Sequence, residues 1–329
     1  MTNSVDKVWE TARAFQASRI LLTGFELGVF ATLGDNAMTS AEVASKIGAD
    51  PRAADRLMDA LVVLGLLTKE EGKFRNSGEA RETLVPGKPT YAGGALGHVI
   101  SLWKSWSTLT DAVRKGTSVF KHEDEARAEF VKPFIAAMHF NASNLAPIIL
   151  KQIDLTGVRR VLDVGGGSGA YSIAFCKASP EITSVIFDLP DVVPLTNEYA
   201  AKAGVADRIS TVTGDFNTDN LPVGFDLAFL SQILHSNSPD ENERLMRKVG
   251  TALNPGGQIV VQEFVVDEDR ISPPGPVFFS LNMLVGTKAG DTYTEKEIGS
   301  WLDGAGFGEI KRIDPPGTGT TLMMGRKSH

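Results

Sequence analysis

Apolar residues recur at helical spacing through the first half of the chain and contract into short runs in the second. Across residues 5–33 the apolar set includes Val8, Ala12, Phe15, Ile20, Leu21, Phe25, Leu27, Val29 and Phe30. Gly24, Gly28 and Gly34 punctuate that run, and its spacing predicts helix. Thr39 and Glu42 have capping-box spacing ahead of the next helix. A turn at Gly48-Ala49-Asp50-Pro51 leads into a helix over residues 52–64, and segments at 66–68 and 73–75 flank an acidic Glu70-Glu71-Gly72 hairpin. Helix, turn, helix and small wing is winged-helix order. Residues 86–97 read as a loose connector and 100–113 as a helix with Trp103 and Trp106 on one face. A charged, solvated helix start at 123–129 leads into a helical segment that runs to 150 and carries Phe134, Met138, His139 and Phe140.

From Gly157 onward strands and helices alternate, which predicts an α/β unit with a mostly parallel sheet covered on both faces. The strands fall at 161–164, 183–187, 209–213, 225–230 and 258–266, the last after an Asn254-Pro255-Gly256-Gly257 turn. Residues 267–277, rich in proline, are too extended for a simple hairpin and are expected to fold with 278–283 over a pocket. A helix at 295–303 and strands near Ile310 and at 320–324 complete the pattern.

Composition narrows the function. At 329 residues the chain has room for two domains, and 42% hydrophobic content is ordinary for a globular protein. No apolar run approaches the roughly 18 residues of a membrane span, and the first residues lack the layout of a secretory signal. A single cysteine, Cys176, rules out an internal disulfide and suits a reducing cytoplasm. Residues 1–150 hold 17 of the 33 basic and 17 of the 40 acidic side chains, so residues 151–329, with 16 against 23, carry the whole net charge of −7. A neutral half joined to an acidic half is a poor polyanion binder. The candidate reading helix of the winged-helix segment offers Arg52 and Arg56 but also Asp50, Asp55 and Asp59. A packing or dimerisation module is therefore preferred to a DNA-binding regulator.

The candidate chemistry centres on Val161-Leu162-Asp163-Val164-Gly165-Gly166-Gly167-Ser168-Gly169, a strand running into a glycine turn and a helix. Such a turn lets a ligand lie against the main chain and faces it with free helix N–H groups. The spacing fits both the dinucleotide pattern GxGxxG/A and the GxGxG loop of S-adenosylmethionine enzymes. Asp163 separates them, because a carboxylate there repels a pyrophosphate and attracts an ammonium or a sulfonium. An NAD-linked oxidoreductase is disfavoured on that ground. Asp188-Leu189 ends the second strand, where an acid can hold ribose hydroxyls. Gly214-Asp215-Phe216 ends the third, where a carboxylate and a ring can bracket an adenine. His235 and Glu263 lie near the ends of the fourth and fifth. Aromatic and methionine side chains, Trp103, Trp106, Phe134, Met138, Phe279 and Met283, suggest an apolar pocket for a flat acceptor, with His139 and Asn282 on the same segments. His139 reads as a structural histidine rather than a catalyst.

These motifs, with Leu234-His235 and Asn254-Pro255-Gly256-Gly257, resemble the S-adenosylmethionine-dependent O-methyltransferases of the caffeate, acetylserotonin and hydroxyneurosporene type, over nearly the whole chain. The resemblance implies a Rossmann-like seven-stranded sheet at 155–329, an N-terminal winged-helix dimerisation domain at 1–110 that makes a homodimer, and linking helices at 111–154 lining the substrate pocket. It further implies that Asp163, Gly165 and Gly167 bind the methionine part of S-adenosylmethionine, Asp188 the ribose, and Asp215 with Phe216 the adenine, with Leu189 and Gly214 also in the cofactor site. Ser231 would also line the cofactor site, and no metal is expected. By the same likeness His235 is the general base and Glu263 the carboxylate that orients it, for methyl transfer to a hydroxyl of a small aromatic or hydrophobic acceptor. The family usually follows its histidine with aspartate and tryptophan, whereas Ser236-Asn237-Ser238 follow here, and a second family carboxylate falls on Thr292, with Asp291 adjacent but pointing elsewhere. A carbon or nitrogen acceptor, or non-methylating chemistry on the same fold, stays open on the sequence.

Overall fold

Strands buried on both faces organise the second half of the chain. The computed structural model describes residues 4–88, 90–120 and 124–328, and only the backbone of residues 4, 5, 124–130 and 133. The charged helix start expected at 123–129 lies outside the described residues at Glu123 and, for its side chains, through Glu129. Two compact units divide the chain, Met1–Ile100 and Ser101–His329.

Among the described residues the largest sheet has seven strands, β1 (Arg160–Val164), β2 (Thr183–Asp188), β3 (Ile209–Thr213), β4 (Phe225–Ser231), β5 (Leu253–Glu263), β6 (Phe307–Ile313) and β7 (Thr321–Lys327). Their order is β6-β7-β5-β4-β1-β2-β3, with β1 to β5 parallel and β7 antiparallel to both its neighbours. Alternation sorts the apolar side chains onto two faces. Leu162, Val164, Ala228, Leu230 and Val261 join one core, and Val161, Leu227, Phe229 and Val260 the other. Because both faces are covered, the central strands read as continuous apolar runs rather than as alternating ones. The order reverses between β1 and β4, and such a switch point opens a crevice outside the strands' carboxyl ends.

In the first unit the expected winged-helix order appears. Thr39 caps the helix Ser40–Ile47 in a reciprocal box with Glu42, Asp50 caps Pro51–Val63, and Leu67–Glu70 pairs with Lys73–Asn76 across a turn at Glu71 and Gly72. Met38–Thr39 adds a short third strand. Its core is Val29, Phe30, Leu33, Val43, Met58, Leu61 and Phe74.

Four expectations are corrected. The helical run at 5–33 is three helices, Ser4–Arg13, Phe15–Glu26 and Val29–Leu33, and Gly28 turns left-handed (φ 76°) ahead of the third. Gly24 breaks nothing; its missing Cβ lets Leu61 approach to 2.9 Å from where that carbon would be. The connector at 86–97 already contains the start of the helix Gly93–Trp106, and Gly93 lies under the Tyr91 ring, where a side chain would clash. The stretch 267–277 is not all extended, since Pro274–Gly286 is helical. Its prolines sit in the first turn, where their missing N–H groups cost nothing. Finally, the expected strand 258–266 leaves the main sheet after Glu263, and Val265–Val266 pairs instead with Tyr293–Thr294.

Phe229 is fully buried in β4, with ring centroids of Tyr171 and Phe175 at 4.7 and 5.5 Å. Phe229→Ala is expected to cost about 3–5 kcal/mol in denaturant unfolding of the cofactor-free protein. A loss under about 1 kcal/mol would show that this face repacks freely.

Candidate active site

The glycine turn that follows β1 needs its glycines for contact as well as for conformation. Gly165 (φ 64°) would place a Cβ 2.5 Å from Ile233 Cδ1, and Gly169 (φ 73°) one 2.7 Å from Ile186. The Gly167 N–H donates to Asp188 Oδ2 and the Leu189 N–H to Asp188 Oδ1, both at 2.7 Å, so Asp188 ties the end of β2 to the loop. Thr196 Oγ1 donates to the Gly167 carbonyl at 2.5 Å. Gly214 lies against the Phe187 ring, where no Cβ fits, and the Phe216 ring approaches Gly165. Asp215 Oδ1 accepts from the Asn217 N–H at 2.8 Å. Lys248, which the sequence reading missed, donates to the carbonyls of Phe216, Asn217 and Asp219 at 3.0, 3.0 and 2.8 Å and holds this loop to helix Pro239–Ala252.

Asp163 is placed differently from a ligand-contacting carboxylate. It is 1% exposed, sits beneath Gly166 and accepts from Ser172 Oγ at 2.6 Å. Burial pushes its carboxyl up to about 7, the Ser172 hydrogen bond pulls the other way, and the Asp188 charge adds to the rise. Burial also raises Asp188 against the pull of its two N–H donors. Two buried carboxyls held above their usual range lack positive charge. A cationic nucleoside such as S-adenosylmethionine fits that deficit, and a pyrophosphate does not.

The second cluster lies at the ends of β4 and β5. Gln232 is left-handed (φ 55°) without being glycine, an outlier of the kind found at functional sites, and it turns the chain into the 3-10 turn Leu234–Ser236. His235 Nδ1 is 2.7 Å from Glu263 Oε1, and the His235 main-chain N–H donates to Oε2 at 3.3 Å. Glu263 is fully buried and accepts the Phe264 N–H as well, at 2.9 Å. An ionised carboxylate only accepts, so Nδ1 carries the proton and Nε2 keeps its lone pair. Phe279 stands edge-on to the imidazole at 4.9 Å and packs on Phe264 at 4.4 Å. Phe264 was hidden in the sequence as one more apolar residue of a strand. The Gly290 α-carbon lies so close to the His235 carbonyl that a Cβ would fall 2.2 Å from its oxygen. Asp291 faces Arg270 at 3.7 Å, and Thr292 is buried.

Of the pocket candidates, Trp106 Nε1 donates to Asn282 Oδ1 at 2.9 Å, one turn along the helix from Phe279, and Met283 is buried there. Trp103, one turn before Trp106, is 37% exposed. Phe134 and Met138 are half-buried on Asp124–Leu150. His139, on that helix, meets the glycine loop rather than the Phe279 cluster. Its Nδ1 is 2.8 Å from Ser168 Oγ and its ring stacks on Tyr199 at 3.9 Å. Ser231 donates to Gln262 Oε1 at 3.1 Å, and Gln262 Nε2 to Thr320 at 3.0 Å, a buried network that the sequence did not disclose. Among the described residues no three His, Cys, Asp or Glu side chains gather as metal ligands, and no helix is long and apolar enough to cross a membrane.

A doubly wound sheet with buried acids under a glycine turn at its switch point defines a nucleoside-binding α/β enzyme. Residues 106–308 match the model of the O-methyltransferase domain, and residues 9–85 that of the O-methyltransferase dimerisation domain. The chain is 34% identical to 3-hydroxy-5-methyl-1-naphthoate 3-O-methyltransferase of Streptomyces sahachiroi, over 95% of this chain and 90% of that one. It is 32% identical to the tetracenomycin polyketide synthesis 8-O-methyl transferase TcmO of Streptomyces glaucescens, over 97% and 96%. Human N-acetylserotonin methyltransferase in complex with SAM superposes with a TM-score of 0.88 at 26% identity, over 100% of this chain and 99% of that one. The chain belongs to the O-methyltransferase family, and is an S-adenosylmethionine-dependent enzyme of it.

The buried Asp163 carries a consequence for stability. A carboxyl near 7 in the folded protein and near its usual 3.8 unfolded contributes most below pH 4, and that contribution is lost as pH rises through 7. Holding it ionised costs the cofactor-free protein on the order of 4 kcal/mol. Asp163→Asn is therefore expected to raise Tm over wild type by a margin that widens by about 5 °C between pH 5 and pH 8. A margin independent of pH would show that Asp163 is ionised throughout.

Proposed function

We propose that the enzyme methylates a hydroxyl of a small aromatic acceptor, with His235 as general base. The observation that carries this reading is the hydrogen bond of 2.7 Å between His235 Nδ1 and the buried Glu263, which leaves Nε2 as the proton acceptor beside the Phe279 ring. The sulfonium of S-adenosylmethionine supplies an electrophilic methyl group when bound. The chain's tasks are then to align the acceptor oxygen and to take its proton. Phe264, Phe279, Met283 and the Trp106–Asn282 pair offer a flat apolar wall for a ring, and the naphthoate and polyketide enzymes named above favour such an acceptor. Glu263 accepts from Nδ1 and so holds the ring in place while the hydroxyl proton moves to Nε2.

Asp188 is assigned to the ribose, Asp215 and Phe216 to the adenine, and Gly165 and Gly167 to the methionine part of the cofactor. Asp163 acts from beneath the loop through its field rather than by contact. A homodimer through the first unit is part of the reading, supported by the match at 9–85 and by Val8, Trp9 and Phe15, which are 67%, 57% and 55% exposed on its first two helices. The polyketide relatives favour a role in secondary metabolism, and the single cysteine a cytoplasmic one.

Incubation with methyl-labelled S-adenosylmethionine and a panel of hydroxylated naphthoates and polyketide aromatics is expected to give label on a phenolic oxygen. Label only on carbon or nitrogen would overturn the assignment. His235→Ala is expected to lower kcat about 10²–10⁴-fold while S-adenosylhomocysteine affinity in calorimetry stays within about threefold. Unchanged turnover removes His235 from the mechanism. Asp188→Ala, which deletes a charge-assisted acceptor, is expected to weaken that affinity about 10- to 100-fold, and full retention would place the ribose elsewhere.

A further inference from the structure

Asn237 stands where the family resemblance has tryptophan, and it is 3% exposed. A buried amide needs both its donor and its acceptor met. Asn237 Nδ2 donates to Asn242 Oδ1 at 3.1 Å, and Asn237 Oδ1 accepts from Asn217 Nδ2 at 3.2 Å. Asn242, fully buried in helix Pro239–Ala252, donates its own Nδ2 to the Leu234 carbonyl at 2.9 Å. The direction of this chain is not free. A carbonyl can only accept, so Leu234 dictates which way Asn242 faces, Asn242 dictates Asn237, and Asn237 dictates Asn217.

Three amides thus run head to tail from the turn that carries His235 to the loop that carries Asp215 and Phe216. At the turn, the Asn237 N–H donates to the Leu234 carbonyl at 3.1 Å, and the Asn237 carbonyl accepts from the Tyr293 hydroxyl. At the loop, the Asn217 N–H is held by Asp215, and Asn217 Oδ1 is buried with no donor from the described residues. Lys248 fastens this same loop to the helix that supplies Asn242. Hydrogen bonds in series polarise one another, so a disturbance at Asn217 weakens the whole series rather than one link.

We propose that Asn237 is a positioning residue which, through Asn217 and Asn242, makes the order of the His235 turn depend on occupation of the Asp215–Phe216 loop by a nucleoside. The base is then held firmly only when the cofactor is in place. This rests on the roles proposed above for His235 and for Asp215 with Phe216.

Hydrogen exchange of the full-length protein, with and without saturating S-adenosylhomocysteine, tests the coupling without using turnover. In wild type the ligand is expected to slow exchange at residues 233–238 and at the glycine loop 165–169 by about threefold or more. In Asn217→Ala and Asn237→Ala the slowing at 233–238 is lost while that at 165–169 remains, which shows that the ligand still binds. Full ligand-induced slowing at 233–238 in Asn217→Ala overturns the proposal, because the turn would then be ordered by direct contact. A second measurement is the kcat of the two single variants and the double variant at saturating S-adenosylmethionine. Each single substitution is expected to lower kcat about 10-fold with little change in KM for the cofactor, and the pair by no more than either alone. Effects that multiply to about 100-fold overturn it. The exchange result does not involve His235 as a base, so it decides the coupling whatever the turnover of His235→Ala proves to be.

Discussion

Glu263 is a fully buried carboxylate at the carboxyl end of a core strand, and the cluster at the ends of β4 and β5 is arranged to satisfy it. An isolated charge in such a place costs far more than any single contact returns, so it persists only where several donors converge. Three do: the Nδ1 and main-chain N–H of His235 and the N–H of Phe264. The first two come from one residue, which requires the chain after β4 to fold back in a tight turn rather than run on as helix. That requirement accounts for the left-handed Gln232, for the short 3-10 turn, and for a glycine at 290, where a side chain would strike the His235 carbonyl.

The cluster around the glycine turn meets the opposite demand. There the carboxyls are buried beside one another, Asp163 held by Ser172 while Asp188 takes two main-chain N–H groups. Protonation is one relief for Asp163, and a cation lying on the glycine turn is another. The two clusters share one sheet edge but differ in kind: one meets its buried carboxylate with three donors from the protein, and the other is left wanting positive charge.

Much of this was legible because it rests on local rules. Glycines between a strand and a helix, acids after three successive strands, and Thr or Ser three residues before Glu each report a backbone requirement that does not depend on distant contacts. The capping box at Thr39 is of that sort, and Ser238 and Thr294, which were not singled out in the sequence, cap helices with the same spacing. What escaped was set by packing across long separations. Gly24 and Gly28 look alike in the sequence, yet one admits Leu61 and the other reverses the chain. Asp163 looked like a ligand because its position is right, and its side-chain direction could not be read. His139 shares an aromatic helix with the pocket candidates, yet its rotamer carries it to Ser168 and Tyr199. Lys248 and Gln262 had no local signature at all.

The departures from the family resemblance are the most informative residues in the molecule. Ser236, Asn237 and Thr292 each stand where the family resemblance has a larger or charged group. In the fold each of them is tied in by hydrogen bonds. Ser236 Oγ donates to the Ile233 carbonyl, the Thr292 N–H is taken by Asp291, and Asn237 is held on four sides by Leu234, Asn217, Asn242 and Tyr293. The turn that presents His235 is thus braced by short polar groups bonded to main chain and to amides. Such bracing is directional where packing is not, because each amide must point one way to be satisfied. Glu263 fixes the imidazole itself, and the polar series of amides ties the turn that carries it to the loop beside Asp215 and Phe216.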